Sequence, residues 1–253
     1  MIETTTIYLI AALAVLLLGI SKGGLGGAFN VIAMPMLALA IDPRYAAALI
    51  LPILCLFDLM ALWTYRGKGN GELVKVMFIG ALLGIAIGTL TFKLLDANGI
   101  RLILGIIAII FGTRSLLAYL RDASPPARHV PKWFGSLCGA LAGFTSFIAH
   151  AGAPPVQMYL LPMRMHKTLL HATMVIFFAA INFVKLIPYA WLGQLNTGSL
   201  TESAKLLPFV PIGFYLGVWL HKHITDRHFY LISYLALLVM GLKLGYDGIQ
   251  GML

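Results

Sequence analysis

Two short stretches of the sequence combine residue types suited to holding an anion, and both interrupt apolar surroundings: SKGGLGG at 21–27 and HAGAPP at 150–155. Glycine and other small residues let a ligand approach the backbone closely. A helix starting after such a break presents unpaired N–H groups and a partial positive charge, which suit an anion even without a charged side chain. The first break supplies Ser21, Lys22, Gly23, Gly24, Gly26 and Gly27, with Asn30 in the half-helix that follows. The second supplies His150, Ala151, Gly152 and Ala153, with Gln157 one turn inside. Pro154 and Pro155 suit a first helical turn, where a missing N–H costs nothing.

Two ionisable residues, Asp58 and Lys185, lie within long apolar runs. An ionised side chain at membrane depth costs about 2.5–3.5 kcal/mol on insertion scales, so each is a functional candidate. Lys185 is a candidate for facing the anion, and Asn182, three residues earlier, shares its helix face. Asp58 pairs with Lys22 or Lys185, or takes up a proton when the site changes state. A structural ion pair, or snorkelling to the interface, is the plainer alternative. There is no GxSxG or HExxH motif and acidic residues are scarce, which counts against an intramembrane enzyme. Cys55 and Cys138 lie in apolar runs without CxxC spacing and read as buried free thiols. No metal set and no cofactor are expected. His221, His223 and His228 read as solvated charge in a basic loop. Gly84, Gly88, Gly105, Gly112, Gly213 and Gly217 read as close helix packing.

The elements that must position these residues follow from composition. The chain of 253 residues is 60% hydrophobic and 11% charged, against about 25% charged in a soluble domain. That deficit implies an all-α polytopic membrane protein, with the lipid bilayer as its solvent. A net charge of +9 does not point to nucleic acid, because Lys and Arg sit in short connections between apolar runs rather than on one face. The first 19 residues lack a basic n-region and carry Glu3, so they read as retained rather than as a cleaved signal. Apolar runs fall at about 7–20, 28–41, 45–64, 74–92, 100–120, 133–149, 153–163, 169–192, 204–221 and 228–246. Six are long enough to span about 30 Å of hydrocarbon. The pairs 7–20 with 28–41, and 133–149 with 153–163, read as too short for full spans. They are expected to form re-entrant or broken helix pairs whose irregular backbone faces the protein interior.

The chain also repeats itself at a separation of about 127–129 residues. Pro35 matches Pro162, Asn30 matches Gln157, Asp58 matches Lys185, and WTYRGKGNGEL resembles WLGQLNTGSL. Gly84, Gly88, Lys93 and Gly112 match Gly213, Gly217, Lys222 and Gly241. The expected division is 1–120 and 133–253 as two repeats, with 121–132 as a cytoplasmic linker. Each repeat holds one broken pair and three spans. An odd number of crossings inverts the second repeat relative to the first. Loop charge agrees: Arg66, Lys68, Lys75, Arg114, Arg121, Arg128, Lys132, Arg164, Lys167, Lys222 and Arg227 fall on one side, expected to be cytoplasmic, and both termini then lie outside.

The two breaks and their flanks resemble the TauE/SafE sulfite-exporter family of membrane permeases. GISKGGLGGAFNVIAMPML carries the likeness in the first repeat; GFTSFIAHAGAPPVQMYLLP, followed by HATMVIFFAAINFVKLIPYAWLGQL, carries the more specific one in the second. Lys22 ahead of the glycines and Asn30 in a usually apolar stretch depart slightly from the pattern. The resemblance implies a secondary transporter of a sulfur-containing anion such as sulfite or an organosulfonate, acting as an exporter in a bacterial inner membrane. The residues themselves leave an anion channel open beside a carrier, and leave room for a homo-oligomer. The expected partners are a small anion and lipid.

Overall fold

The computed structural model describes residues 5–25, 33, 37, 41, 43–92, 97–121 and 127–252. These residues form α-helices, turns and one short 3-10 helix. The α-helices are α1 (Thr5–Gly24), α2 (Pro43–Thr64), α3 (Gly71–Thr91), α4 (Ala97–Arg121), α5 (Lys132–Ala149), α6 (Ala153–Leu160), α7 (Lys167–Trp191), α8 (Thr197–Lys205), α9 (Phe209–His223) and α10 (Asp226–Gln250). Among the described residues five stretches are long and apolar enough to cross a bilayer: Thr5–Gly24, Arg44–Thr64, Gly71–Thr91, Lys167–Trp191 and Arg227–Gln250. The bent pair α8–α9 raises this to six.

Two of these elements differ from the sequence reading. Residues 21–24 are not a break but the last turn of α1, which has 20 residues. At about 1.5 Å per residue that is a full span of roughly 30 Å. Glycine weakens a helix by about 1 kcal/mol, but here α9 packs against the bare backbone at Gly19, Gly23 and Gly24. The run 204–221, expected as one span, is divided into α8 and α9 at an angle of 56°. Pro208, which has no N–H to donate, stands at the bend. The second break falls where expected: α5 ends at Ala149, His150 takes a left-handed conformation with φ 51°, and α6 begins at Ala153. The His150 N–H donates to Ser146 O and the Ala151 N–H to Thr145 O, closing off the end of α5.

Glycines set the tightest helix contacts. A Cβ on Gly80 would lie 1.9 Å from Ser136 O, and one on Gly84 would lie 2.0 Å from Ala140 O, so α3 and α5 touch backbone to backbone. On α1 and α9, Gly23 faces Phe214 O and Gly217 faces Ile20 O. In both pairs residue numbers rise together along the contact, so each pair runs parallel. The pair α4 and α10 meets through Gly105, Gly241 and Gly248 and runs antiparallel. Small residues permit this approach, which drives association where lipid offers no hydrophobic contrast.

The centre is built on α2 and α7, the most buried of the long helices. Around them the contacts pair off: α1 with α9 and α5 with α3, α2 with α9 and α7 with α3, α4 with α10, and α2 with α7. Exchanging α1, α2, α3 and α4 for α5, α7, α9 and α10 leaves these contacts unchanged, whereas the contacts of α1 with α2, α2 with α5 and α7 with α10 have no counterpart of like extent. Some local features recur in the two halves of the chain. Asn70 caps α3 and Asn196 caps α8. Gly67 and Gly193 turn the preceding loops at φ 71° and 70°. Trp63, Trp133, Trp191 and Trp219 are exposed near helix ends.

The basic connections gather at one end of the bundle. Lys167 Nζ donates to Ile224 O, Tyr119 OH to Arg227 O at 3.1 Å, and Arg128 N–H to Pro162 O at 3.0 Å. The start of α1 and the end of α10 lie at the opposite end, where Tyr8 OH donates to Lys205 O and Asn98 Nδ2 to Gly251 O.

Replacing Gly84 with valine is expected to destabilise the detergent-solubilised protein by about 1–3 kcal/mol or more, read as a lowered Tm. Gly71→Ala, with nothing within 4 Å of its added Cβ, should leave Tm unchanged.

Candidate functional site

One buried polar cluster joins α1, α2, α5 and α7 through the apolar interior. At its centre Asp58 of α2 accepts from Lys22 Nζ at 2.5 Å on one oxygen and from Asn182 Nδ2 at 2.6 Å on the other. All three residues are buried, Asp58 completely. Lys22 Nζ also lies 5.0 Å from the centre of the Phe178 ring, a cation–π contact. One turn along α7, the fully buried Lys185 donates to Ser146 O at 3.0 Å, Ser146 Oγ at 2.9 Å and His150 Nδ1 at 3.0 Å. His150 Nε2 stands 2.9 Å from Ala47 O. A carbonyl only accepts, so Nε2 carries the proton and Nδ1 is free to accept from Lys185.

Ser146 O, Ser146 Oγ and His150 Nδ1 together can accept all three hydrogens of an ammonium at Lys185. The cluster sets two lysines, Lys22 and Lys185, around one acidic side chain, Asp58. Among the described residues the other buried acid is Glu202, and it pairs with Lys205 at 2.9 Å. Among the described residues Lys185 forms no salt bridge. Asn182 Oδ1 is buried there without a hydrogen-bond partner.

The helix ends next to the cluster are capped by side chains. The last carbonyls of α1 have no partner within the helix. Lys22 O receives His171 Nε2 at 3.1 Å, Gly23 O receives Tyr65 OH at 2.5 Å, and Gly24 O receives His221 Nδ1 at 2.8 Å. The end of α5 is held in the same way, with Tyr189 OH donating to Phe147 O at 2.6 Å. The rings of Tyr65, His171 and His221 pack on one another with centroids 4.7–5.6 Å apart.

Of the residues expected to form a site, the fold brings together Lys22, Asp58, His150, Asn182 and Lys185. Ser21 is buried in α1 and Gln157 in α6. Gly23 and Gly24 meet the α9 backbone, at 2.2 Å from where their Cβ atoms would be, and not an open pocket. Gly152 packs against Ala142 O and Ser146. The Ala151 N–H is committed to Thr145 O, and Pro154 and Pro155 have none, so few of the backbone donors expected at 151–154 are available to a ligand. Ala153 is buried in the first turn of α6. Gly26, Gly27 and Asn30 lie outside the described residues. The end of α1 and the turn at His150 sit apart. The end of α1 lies against Tyr65 and His221 towards the basic end, and His150 lies against Ala47 near the start of α2. The cluster of side chains runs between them, and the helix start expected after Gly27 lies outside the described residues.

Sequence reading missed Ser146, Tyr65, His171 and Tyr189, and took His221 for a solvated loop residue, whereas it is buried in α9. One signal was present. His171, Phe178, Asn182 and Lys185 are spaced 7, 4 and 3 apart, a single stripe on α7.

The sequence profile of the sulfite exporter TauE/SafE family matches residues 11–244, nearly the whole chain. No curated protein and no solved structure matches it.

Removing one partner of a buried ion pair costs about 3–5 kcal/mol, because the other charge is stranded. Lys22→Met should therefore lower stability by about that amount. Lys22→Met combined with Asp58→Asn, which keeps an acceptor for Asn182, should recover most of the loss in thermal unfolding. Additive losses in the double variant would show that the pair is not coupled.

Proposed function

The chain belongs to the sulfite exporter TauE/SafE family, and from that premise we propose that it is a secondary carrier of a small sulfur-containing oxyanion, such as sulfite or an organosulfonate, moving it outward across a bacterial inner membrane. The observation that carries the reading is the buried cluster of Lys22, Lys185 and Asp58, with two positive charges to one negative. An uncompensated charge in the interior is costly, and an arriving anion removes the cost. The cluster would thus select for charge sign before it selects for shape.

In the proposed cycle the anion competes with Asp58 for Lys22 and leans on Lys185. Asp58, relieved of its ammonium partner, then takes up a proton, which couples anion movement to a proton gradient. The exchange symmetry of the helix contacts supports two inverted repeats, each a helix pair followed by three spanning elements. The alternating states come from rocking the glycine-packed pairs about α2 and α7. The clustering of basic loops at one end supports placing that end in the cytoplasm, with the start of α1 and the end of α10 outside. A channel would share the same cluster. Saturable counterflow of labelled sulfite in liposomes separates a carrier from it.

Two outcomes are expected in liposomes. Lys185→Gln, which removes a buried charge-assisted contact of about 1.5–3 kcal/mol, should slow sulfite uptake roughly tenfold to a hundredfold. Asp58→Asn should flatten the pH dependence of transport. If only a cation or an uncharged solute moves, the anion reading is wrong; an unchanged pH profile in Asp58→Asn would remove this residue from coupling.

A further inference from the structure

A cleft of about 400 Å³ opens at the basic end of the bundle, where the end of α2, the start of α7 and the end of α9 meet. Lys68, Lys167 and Lys222 line it together with Tyr65, Thr168 and His221, and among the described residues no acid belongs to the lining. The three lysines are placed differently. Lys167 is tied down, its Nζ donating to His221 O at 2.9 Å and to Ile224 O at the end of α9. Lys68 and Lys222 are exposed, with Lys68 Nζ 5.9 Å from the centre of the Tyr65 ring. Thr168 Oγ1 lies 3.2 Å from His221 Nε2. The floor of the cleft is made by Tyr65 and His221, the two side chains that hold the carbonyls of Gly23 and Gly24. Lys22 is the next residue of α1 beneath them.

We propose that this cleft is a second oxyanion site, one that collects the anion on the basic face before it reaches the Lys22–Asp58–Lys185 cluster. Three converging cations in a concave wall raise the local concentration of an anion far more than the same charges on a flat surface. A hydroxyl and the exposed ammonium groups suit a sulfonate, sulfite or sulfate group. The phosphate of an anionic lipid headgroup has the same chemistry and is the other source of a ligand here. The collecting role rests on the transport reading above; binding in the cleft does not.

Equilibrium binding of sulfite to the purified full chain in neutral detergent at low salt tests both separately. The wild type should show two classes of site. Lys68→Gln with Lys222→Gln should weaken one class roughly tenfold or more and leave the other intact, while Lys185→Gln should do the reverse. No change with the Lys68/Lys222 variant overturns the cleft; no change with Lys185→Gln overturns the transport site and leaves the cleft standing. Added phosphatidylglycerol that displaces sulfite from the first class alone identifies a headgroup as the competing source. In liposomes of phosphatidylcholine the Lys68/Lys222 variant should raise KM for sulfite from the basic face, leaving kcat and the KM from the other face unchanged. An equal rise from both faces would contradict a site confined to that end.

Discussion

The buried cluster is organised by one acidic side chain, Asp58, set between two lysines. Asp58 accepts from Lys22 and from Asn182, and cannot also neutralise Lys185. In water this imbalance would be trivial. Inside an apolar bundle the attraction between Asp58 and Lys22 is strong, but so is the cost of the remaining charge. Lys185 survives there because Ser146 and His150 offer it three acceptors. That arrangement solvates the ammonium without cancelling it, which is the state an anion can exploit.

The frame around the cluster lets these groups be placed so closely. Backbone-to-backbone contact at Gly80, Gly84, Gly23 and Gly217 makes α3 with α5, and α1 with α9, stiff parallel pairs. Each pair presents a helix end towards α2 and α7. Those ends would expose bare carbonyls in the interior, and Tyr65, His171, His221 and Tyr189 cover them. The same side chains thus hold the scaffold together and stand between the basic cleft and Lys22. In the proposed route an anion meets exposed lysines, then an aromatic and imidazole layer, then the buried cluster.

Much of this was legible in the residues. The charge deficit and the length of the apolar runs implied an all-helical membrane protein. Asp58 and Lys185 stood out because ionised groups are costly at membrane depth. Less legible was the role of the glycines. SKGGLGG reads as a break by local propensity, yet its first four residues finish α1, since a neighbouring backbone occupies the space the missing side chains leave. Propensity of about 1 kcal/mol per glycine gives way to a tertiary contact that no single-chain pattern records. His221 was misjudged for a related reason: a His-Lys-His run looks solvated, but helical phase turns the first histidine inward and leaves the other two residues exposed.

The sequence by itself determined the solvent this chain is built for, the helices it forms and the residues too polar to be there by accident. Those properties depend on composition and on periodicity along one strand of chain. Only the tertiary structure decided that Lys22, and not Lys185, pairs with Asp58, that Lys185 rests on Ser146 and His150, and that the end of α1 and the turn at His150 sit apart. Each of these hangs on ångström-scale distances between helices far apart in sequence. Such distances are set by which surfaces pack, and not by the spacing of residues along any one helix.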